Sequence, residues 1–202
     1  MTATVGPAGD AVGRPLQSDD LGRRALSADD LVRRALAAGA SAAAVLPPDQ
    51  VVTAEWVRWK CLYGCDVAGR CLTCPPHSPS PDETRRLLDE YAVVLLLRFD
   101  VRPERTEWLK SAPWVLRTAL RLEQELFLTG HYKVFAIAGG RSCDLDAACG
   151  SPETCASRER LRPGLAGCGI DVFSTSANAG WPLRVVATEG EPYHRYALLL
   201  VE

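Results

Sequence analysis

The spacing of apolar residues changes period several times along the chain, and the changes mark out its elements. Ser27 is a good N-cap, Asp29 and Asp30 follow in the first turn, Leu31 and Ala35 share a face, and Gly39 is a good stop; this predicts a helix. Ser41 to Leu46 and Val51 to Trp59 read as two strands around the Pro47-Pro48-Asp49 turn, the second leading straight into Cys61. Ser80, Pro81 and Glu83 form a capping box with proline at the first helical position, predicting a helix to about Glu90. Ala92 to Leu97 is apolar throughout and reads as a strand buried on both faces.

A second long helix is predicted from Pro113 to Thr129, with Leu116, Leu120 and Phe127 on one side and Gly130 as its stop. The strand Tyr132 to Ala138 follows and is broken by Gly139-Gly140. A helix at 158–167, a short strand at 170–173 and strands at 183–187 and 195–201 complete the expectation. Helices alternate with apolar strands, which predicts an α/β fold: one domain, a mixed sheet flanked by helices, and two cysteine-rich loops at strand ends.

The first residues lack periodicity and are rich in Gly, Ala and Pro, so 1–26 is expected to be a mobile N-terminal segment and 27–202 the domain. Within the former, Ser18 to Leu26 is repeated as Ala28 to Leu36, a ten-residue period seen twice and too short for a solenoid. It reads as a duplicated surface helix whose Arg pairs are solvated.

Composition narrows the function. With 202 residues, 47% apolar and 24% charged, the chain is long enough to bury a real core. A net charge of −2 gives no electrostatic case for nucleic acid or an anionic membrane as the main partner, and the longest apolar run is far too short to span a bilayer. The opening residues do not read as a secretory signal, so the expected compartment is a reducing cytoplasm.

In such a compartment eight cysteines in two clusters call for a chemical reason other than disulfides. Cys61, Cys65, Cys71 and Cys74 are spaced Cys-x3-Cys-x5-Cys-x2-Cys before Pro75-Pro76, and Cys143, Cys149, Cys155 and Cys168 follow in a second Gly- and Pro-rich stretch. Thiolates at such short spacings bind soft or borderline metals. Iron–sulfur, as a [4Fe-4S] cluster, is favoured by the absence of histidine inside either box and by the proline after Cys74. Zinc is the alternative, since four-thiolate zinc sites commonly staple loops. Cys71-Leu72-Thr73-Cys74 does not open a thioredoxin-like helix, which weakens a redox-dithiol reading.

The run Cys61-x3-Cys65-x8-Cys74-Pro-Pro-x-Ser-Pro-Ser-Pro-x-Glu, the segment Glu123 to Lys133 and the ending Arg162 to Val172 together resemble the DUF2284 family, cysteine-rich predicted metal-binding proteins, over roughly residues 50 to 185. The resemblance implies a front box of Cys61, Cys65 and Cys74, to which Cys71 is additional. It also implies a rear cluster in which Asp146 stands where the family has a cysteine between Cys143 and Cys149, with Cys155 matching the next one.

Two arrangements follow from these counts. Two closed four-cysteine sites would suit electron transfer to a redox partner protein, or pure structure. A three-cysteine centre would leave one iron open as a Lewis acid for a small-molecule substrate, in a redox or sulfur-handling reaction of the oxidoreductase, lyase or sulfur-transferase class. Asp146 is then a candidate oxygen ligand or proton carrier; the plain alternative is a loop aspartate capping the turn after it. His77, His131, Lys133, Glu123, Glu125 and Arg162 are lesser candidates, each with an ordinary structural role as the simpler account. No Ser-His-Asp order, phosphate loop or dinucleotide fingerprint is present.

Overall fold

A computed structural model describes residues 26–65, 68–101, 105–138, 152–155, 158–188 and 190–202, with the backbone alone over 105–110. Helix α1 (Ala28–Ala38) begins as expected: Ser27 Oγ accepts from the Asp30 N–H at 3.1 Å. It ends on Gly39, whose φ of +110° is a left-handed conformation that costs glycine little. Its buried stripe is Leu31, Ala35 and Ala38. The first copy of the repeat lies outside the described residues.

Strand β1 (Ala42–Leu46) follows, and then the second predicted strand gives way to a helix. Only a short piece of 51–59 pairs: Thr53 forms an isolated bridge with Ile170, Ala54 N–H donates to the Gly169 carbonyl and Asp171 N–H to that of Val52. From Glu55 the chain coils into α2 (Glu55–Gly64). Alternation at Val51 and Thr53 looks like a strand, but only Val57 turns inward from α2, while Trp56 and Trp59 face solvent. Cys61 therefore sits in the last turn of a helix rather than after a strand.

Helix α3 (Pro81–Asp89) carries the predicted capping box, with Ser80 N–H donating to Glu83 Oε2 at 2.7 Å and Glu83 N–H to Ser80 Oγ at 3.2 Å. Strand β2 (Val93–Val101) is longer than expected and central. Helix α4 (Arg105–Leu128) starts eight residues before Pro113, a proline that favours first-turn positions but here lies inside the helix. Its buried stripe is Ala112, Val115, Leu116, Ala119, Leu122 and Leu126; Phe127, expected on the inner side, is 56% exposed.

Strand β3 (Phe135–Ala138) keeps only the end of the predicted strand. The helix expected at 158–167 reduces to a 3-10 turn at Arg158–Arg160, because Pro163, Gly164 and Gly167 follow it and Arg162 is engaged elsewhere. In place of a strand at 170–173 there is the single bridge at Ile170 and then α5 (Val172–Asn178), capped by Asp171, which accepts from the N–H groups of Phe173 and Ser174. Residues 183–187 form no strand, and β4 (Tyr193–Val201) closes the fold.

The α/β class and the single domain hold. The sheet, ordered β1-β2-β4-β3, is antiparallel at all three pairings instead of mixed, with Leu96 opposite Leu198 and Leu198 opposite Ile137. Alternation along β2 and β4 sends side chains to two cores. On one face Leu95, Leu97, Phe99 and Leu199 meet α1 and α4. On the other, Val94, Leu96, Leu198 and Leu200 meet Leu88 of α3, and Leu165, Cys168 and Ile170 from the loop before α5. Among the described residues no helix is long and apolar enough to cross a membrane.

Candidate metal centre

The front cysteine box lies against the loop at 164–169, which packs on the second face of the sheet. Cys61 lies in the last turn of α2 and Cys65 caps its C-terminus in extended conformation. The chain then turns back on itself: Gly69, in a left-handed conformation, donates its N–H to the Pro75 carbonyl at 2.8 Å, and Cys74 N–H donates to the Cys71 carbonyl. The Cys74 carbonyl in turn accepts from both His77 and Ser78 N–H groups, so Cys74 is held at the head of a tight turn.

These turns bring Cys74 and Cys65 near enough to Cys61 to act on its thiol. The Cys61 thiol is pushed up by partial burial first, and then by the neighbouring Cys74 and Cys65, while the Arg58 guanidinium pulls it the other way. Cys61 and Cys74 are half-buried and Cys65 is exposed. Thr73 Oγ1 lies 3.6 Å from Cys74 Sγ.

Cys71 and Cys168 have different surroundings. Both are buried; Cys168 is 1% exposed, within the apolar core below the sheet. Burial pushes its thiol up to about 12, opposed by a hydrogen bond with Thr84 and by the charge of Arg58. Cys155 is half-buried. Cys143, Cys149 and Asp146 lie outside the described residues.

Thiolates of Cys61, Cys65 and Cys74 beside a fixed cation make a donor set that suits a soft or borderline metal. Among the described residues no three His, Cys, Asp or Glu side chains already converge at coordination distance, so the donors are neighbours rather than a closed cage.

A family model for "Predicted metal-binding protein" (DUF2284) matches residues 44–201, most of the chain and more than the cysteine motifs alone span. The chain belongs to the DUF2284 family. No curated protein and no solved structure matches it. Both the front box and the ending that resemble DUF2284 lie inside the matched span, and the fold gives those motifs a joint physical role. Gly164 N–H donates to the Thr73 carbonyl at 2.9 Å, beside Cys74. Gly167 packs so closely that a Cβ there would sit 3.0 Å from Ser78 Oγ and 3.2 Å from the Thr73 carbonyl oxygen. At Gly169, with φ of +74°, a Cβ would come within 2.4 Å of Pro81 Cγ. The glycine-rich ending of DUF2284 thus serves here as the bed on which the cysteine box lies.

Ala138, the last described residue before the rear cysteine stretch, donates its N–H to the Pro163 carbonyl, next to Gly164. The exit of β3 is therefore one residue of backbone pairing away from the front box. The lesser candidates take structural places. Glu123 Oε2 accepts from Ala136 N–H at 2.7 Å and from Arg162 Nε at 2.9 Å. Glu125 pairs with Arg34, Lys133 Nζ donates to the Glu90 carbonyl, His131 is buried 3.7 Å from Glu202, and His77 is exposed.

Two features escaped sequence reasoning because both need α2 to be a helix. Arg58 stands one turn before Cys61, its Nη1 donating to the carbonyls of Pro79 at 2.6 Å and Gly167 at 2.7 Å. On the outer side, Trp56, Trp59 and the 82%-exposed Tyr63 bound an open groove of about 1030 Å³. There Lys60 Nζ lies 5.2 Å from the Trp56 ring centroid, and the Trp59 and Tyr63 rings are 5.8 Å apart.

Proposed function

We propose that this protein binds an iron–sulfur cluster, of the [4Fe-4S] kind, through Cys61, Cys65 and Cys74, and acts on a small molecule as a redox or sulfur-handling enzyme. The observation that supports it is geometric: Arg58 of α2 reaches the Ser78 and Pro79 carbonyls, which sets the helix end bearing Cys61 and Cys65 against the turn headed by Cys74, in a chain of a predicted metal-binding family. When bound, such a cluster supplies electrons and, at a position with no protein ligand, a Lewis acid. The chain's own contribution is to hold three sulfurs on two backbone segments and to set the Arg58 guanidinium beside Cys61. Cys143, Cys149 and Cys155 remain candidates for a second set of sulfurs, and Asp146 for an oxygen ligand or proton carrier, because β3 ends next to the front box.

The test is to purify the protein without oxygen and measure iron, sulfide and zinc together with the visible spectrum. Iron and sulfide with a brown chromophore are expected, lost on Cys61→Ser or Cys74→Ser and retained on Cys71→Ser and Cys168→Ser. A colourless protein with stoichiometric zinc overturns the iron–sulfur assignment. Loss of the chromophore in Cys71→Ser closes the site with a fourth thiolate and makes the protein an electron carrier for a redox partner.

A further inference from the structure

Arg58 is the most heavily engaged side chain around the cysteine box, and what it holds is the box itself. Its Nη1 lies 2.6 Å from the Pro79 carbonyl, 2.7 Å from that of Gly167, 3.0 Å from that of Ser78 and 3.2 Å from Ser78 Oγ; Nη2 lies 3.5 Å from the Pro76 carbonyl. Ser78 Oγ donates to the same Gly167 carbonyl at 2.9 Å. Three segments meet on this one guanidinium: α2 with Cys61 and Cys65, the turn headed by Cys74, and the loop at 164–169. The thiols of Cys61 and Cys74 lie on different segments, and among the described residues the backbone hydrogen bonds of 68–79 stay within that turn or run to Cys65 and Gly164.

We propose that Arg58 is the positioning residue of the thiolate centre: it docks the Cys74 turn against α2, setting the separation of the Cys61 and Cys74 sulfurs, and it places a fixed positive charge one turn from Cys61. The assignment deepens the metal-centre reading above and rests on it for its biological meaning. Lysine at 58 would keep the charge but not the planar fork that reaches several carbonyls at once, so the two parts are separable. Arg85 is an internal comparison. It ties α3 to the carbonyls of Val51 and Pro48, both at 3.0 Å, and pairs with Asp89.

The experiment uses the whole chain, reduced and stripped of metal, with phenylarsonous acid as the probe. Trivalent arsenic exchanges its two hydroxyl groups for two thiolates, releasing two waters with no change of oxidation state, so capture reports sulfur spacing independently of the resident metal. Arsenical affinity is read by intact-mass competition against a small dithiol, metal content after anaerobic expression is read in parallel, and melting temperature in a third measurement. Wild type is expected to capture one arsenical, dependent on Cys61 and Cys74. Arg58→Met and Arg58→Lys are expected to bind it at least about tenfold more weakly, which is about 1.4 kcal/mol, and to lose metal. Arg85→Met, at a comparable loss of melting temperature, is expected to bind as wild type. If Arg58→Met does not fold, Arg58→Lys decides.

Wild-type arsenical affinity and metal content in the Arg58 variants overturn the proposal, as does an equal loss in Arg85→Met, which would reduce Arg58 to general stability. If wild type takes up no metal yet its arsenical capture still depends on Arg58, the positioning role stands and the metal-centre reading falls.

Discussion

Cys61 and Cys168 are the same residue type in different surroundings. Cys61 is half-buried, its thiol pushed up by that burial first and then by Cys74 and Cys65, with the Arg58 guanidinium opposing them. Cys168, sealed in the apolar core, stays protonated, its thiol pushed from 9.0 to about 12. Because the folded value is raised, this thiol contributes stability that is complete below pH 9.0 and is lost as pH rises towards 12. Between those limits the denatured chain ionises first, and the slope reaches at most about 1.4 kcal/mol per pH unit. Urea midpoints from pH 8 to 11 are therefore expected to fall more steeply for wild type than for Cys168→Ala. Equal slopes would place Cys168 in contact with solvent. The cysteines were visible in the sequence, but this division among them was not, because it depends on which side of the sheet each loop faces.

Among the elements, those with strong local punctuation were legible and those without it were not. The Ser27 cap, Gly39 stop, Ser80–Glu83 box and Gly130 stop all lie where the side chains and φ values require. At α3 the box is fully formed, so Ser80→Ala is expected to cost about 1 kcal/mol in chemical denaturation, leaving metal content unchanged. A loss of metal instead would mean that the cap also places the turn headed by Cys74, six residues before Ser80. Helix α2 was illegible because its N-cap, Ala54, makes no side-chain cap and only Val57 is buried along it. Such a helix announces itself weakly, and α4 was cut short by a proline that reads as a start.

For the whole molecule, the Glu123–Arg162 pair joins the long helix to the end of β3 and the loop that follows the 3-10 turn. Both side chains are largely buried, at 13% and 18% exposure, and they link α4, β3 and the loop from Leu161 to Gly164. That loop contacts Ala138 on one side and Thr73 on the other. Glu123→Ala leaves the guanidinium buried without its partner and is expected to cost about 3–5 kcal/mol. Hydrogen exchange at the Ala138 amide is expected to accelerate by more than the global loss of stability accounts for. Unchanged protection there would show that β3 and the Pro163 loop are held independently of the pair.

By itself the sequence determined the α/β class, most helix caps and the buried central strand. Those features are set by side-chain chemistry at short range: caps, glycine stops and apolar runs act within a few residues. Tertiary structure decided that the sheet is antiparallel, that α2 is a helix, and that Cys168 belongs to the core. It also decided that Arg58 reaches across to the Cys74 turn and to Gly167, contacts separated by about 20 and 109 positions in the chain. No local pattern encodes such a contact, since it exists only once the second face of the sheet has gathered α2, the cysteine turn and the glycine-rich loop in one place.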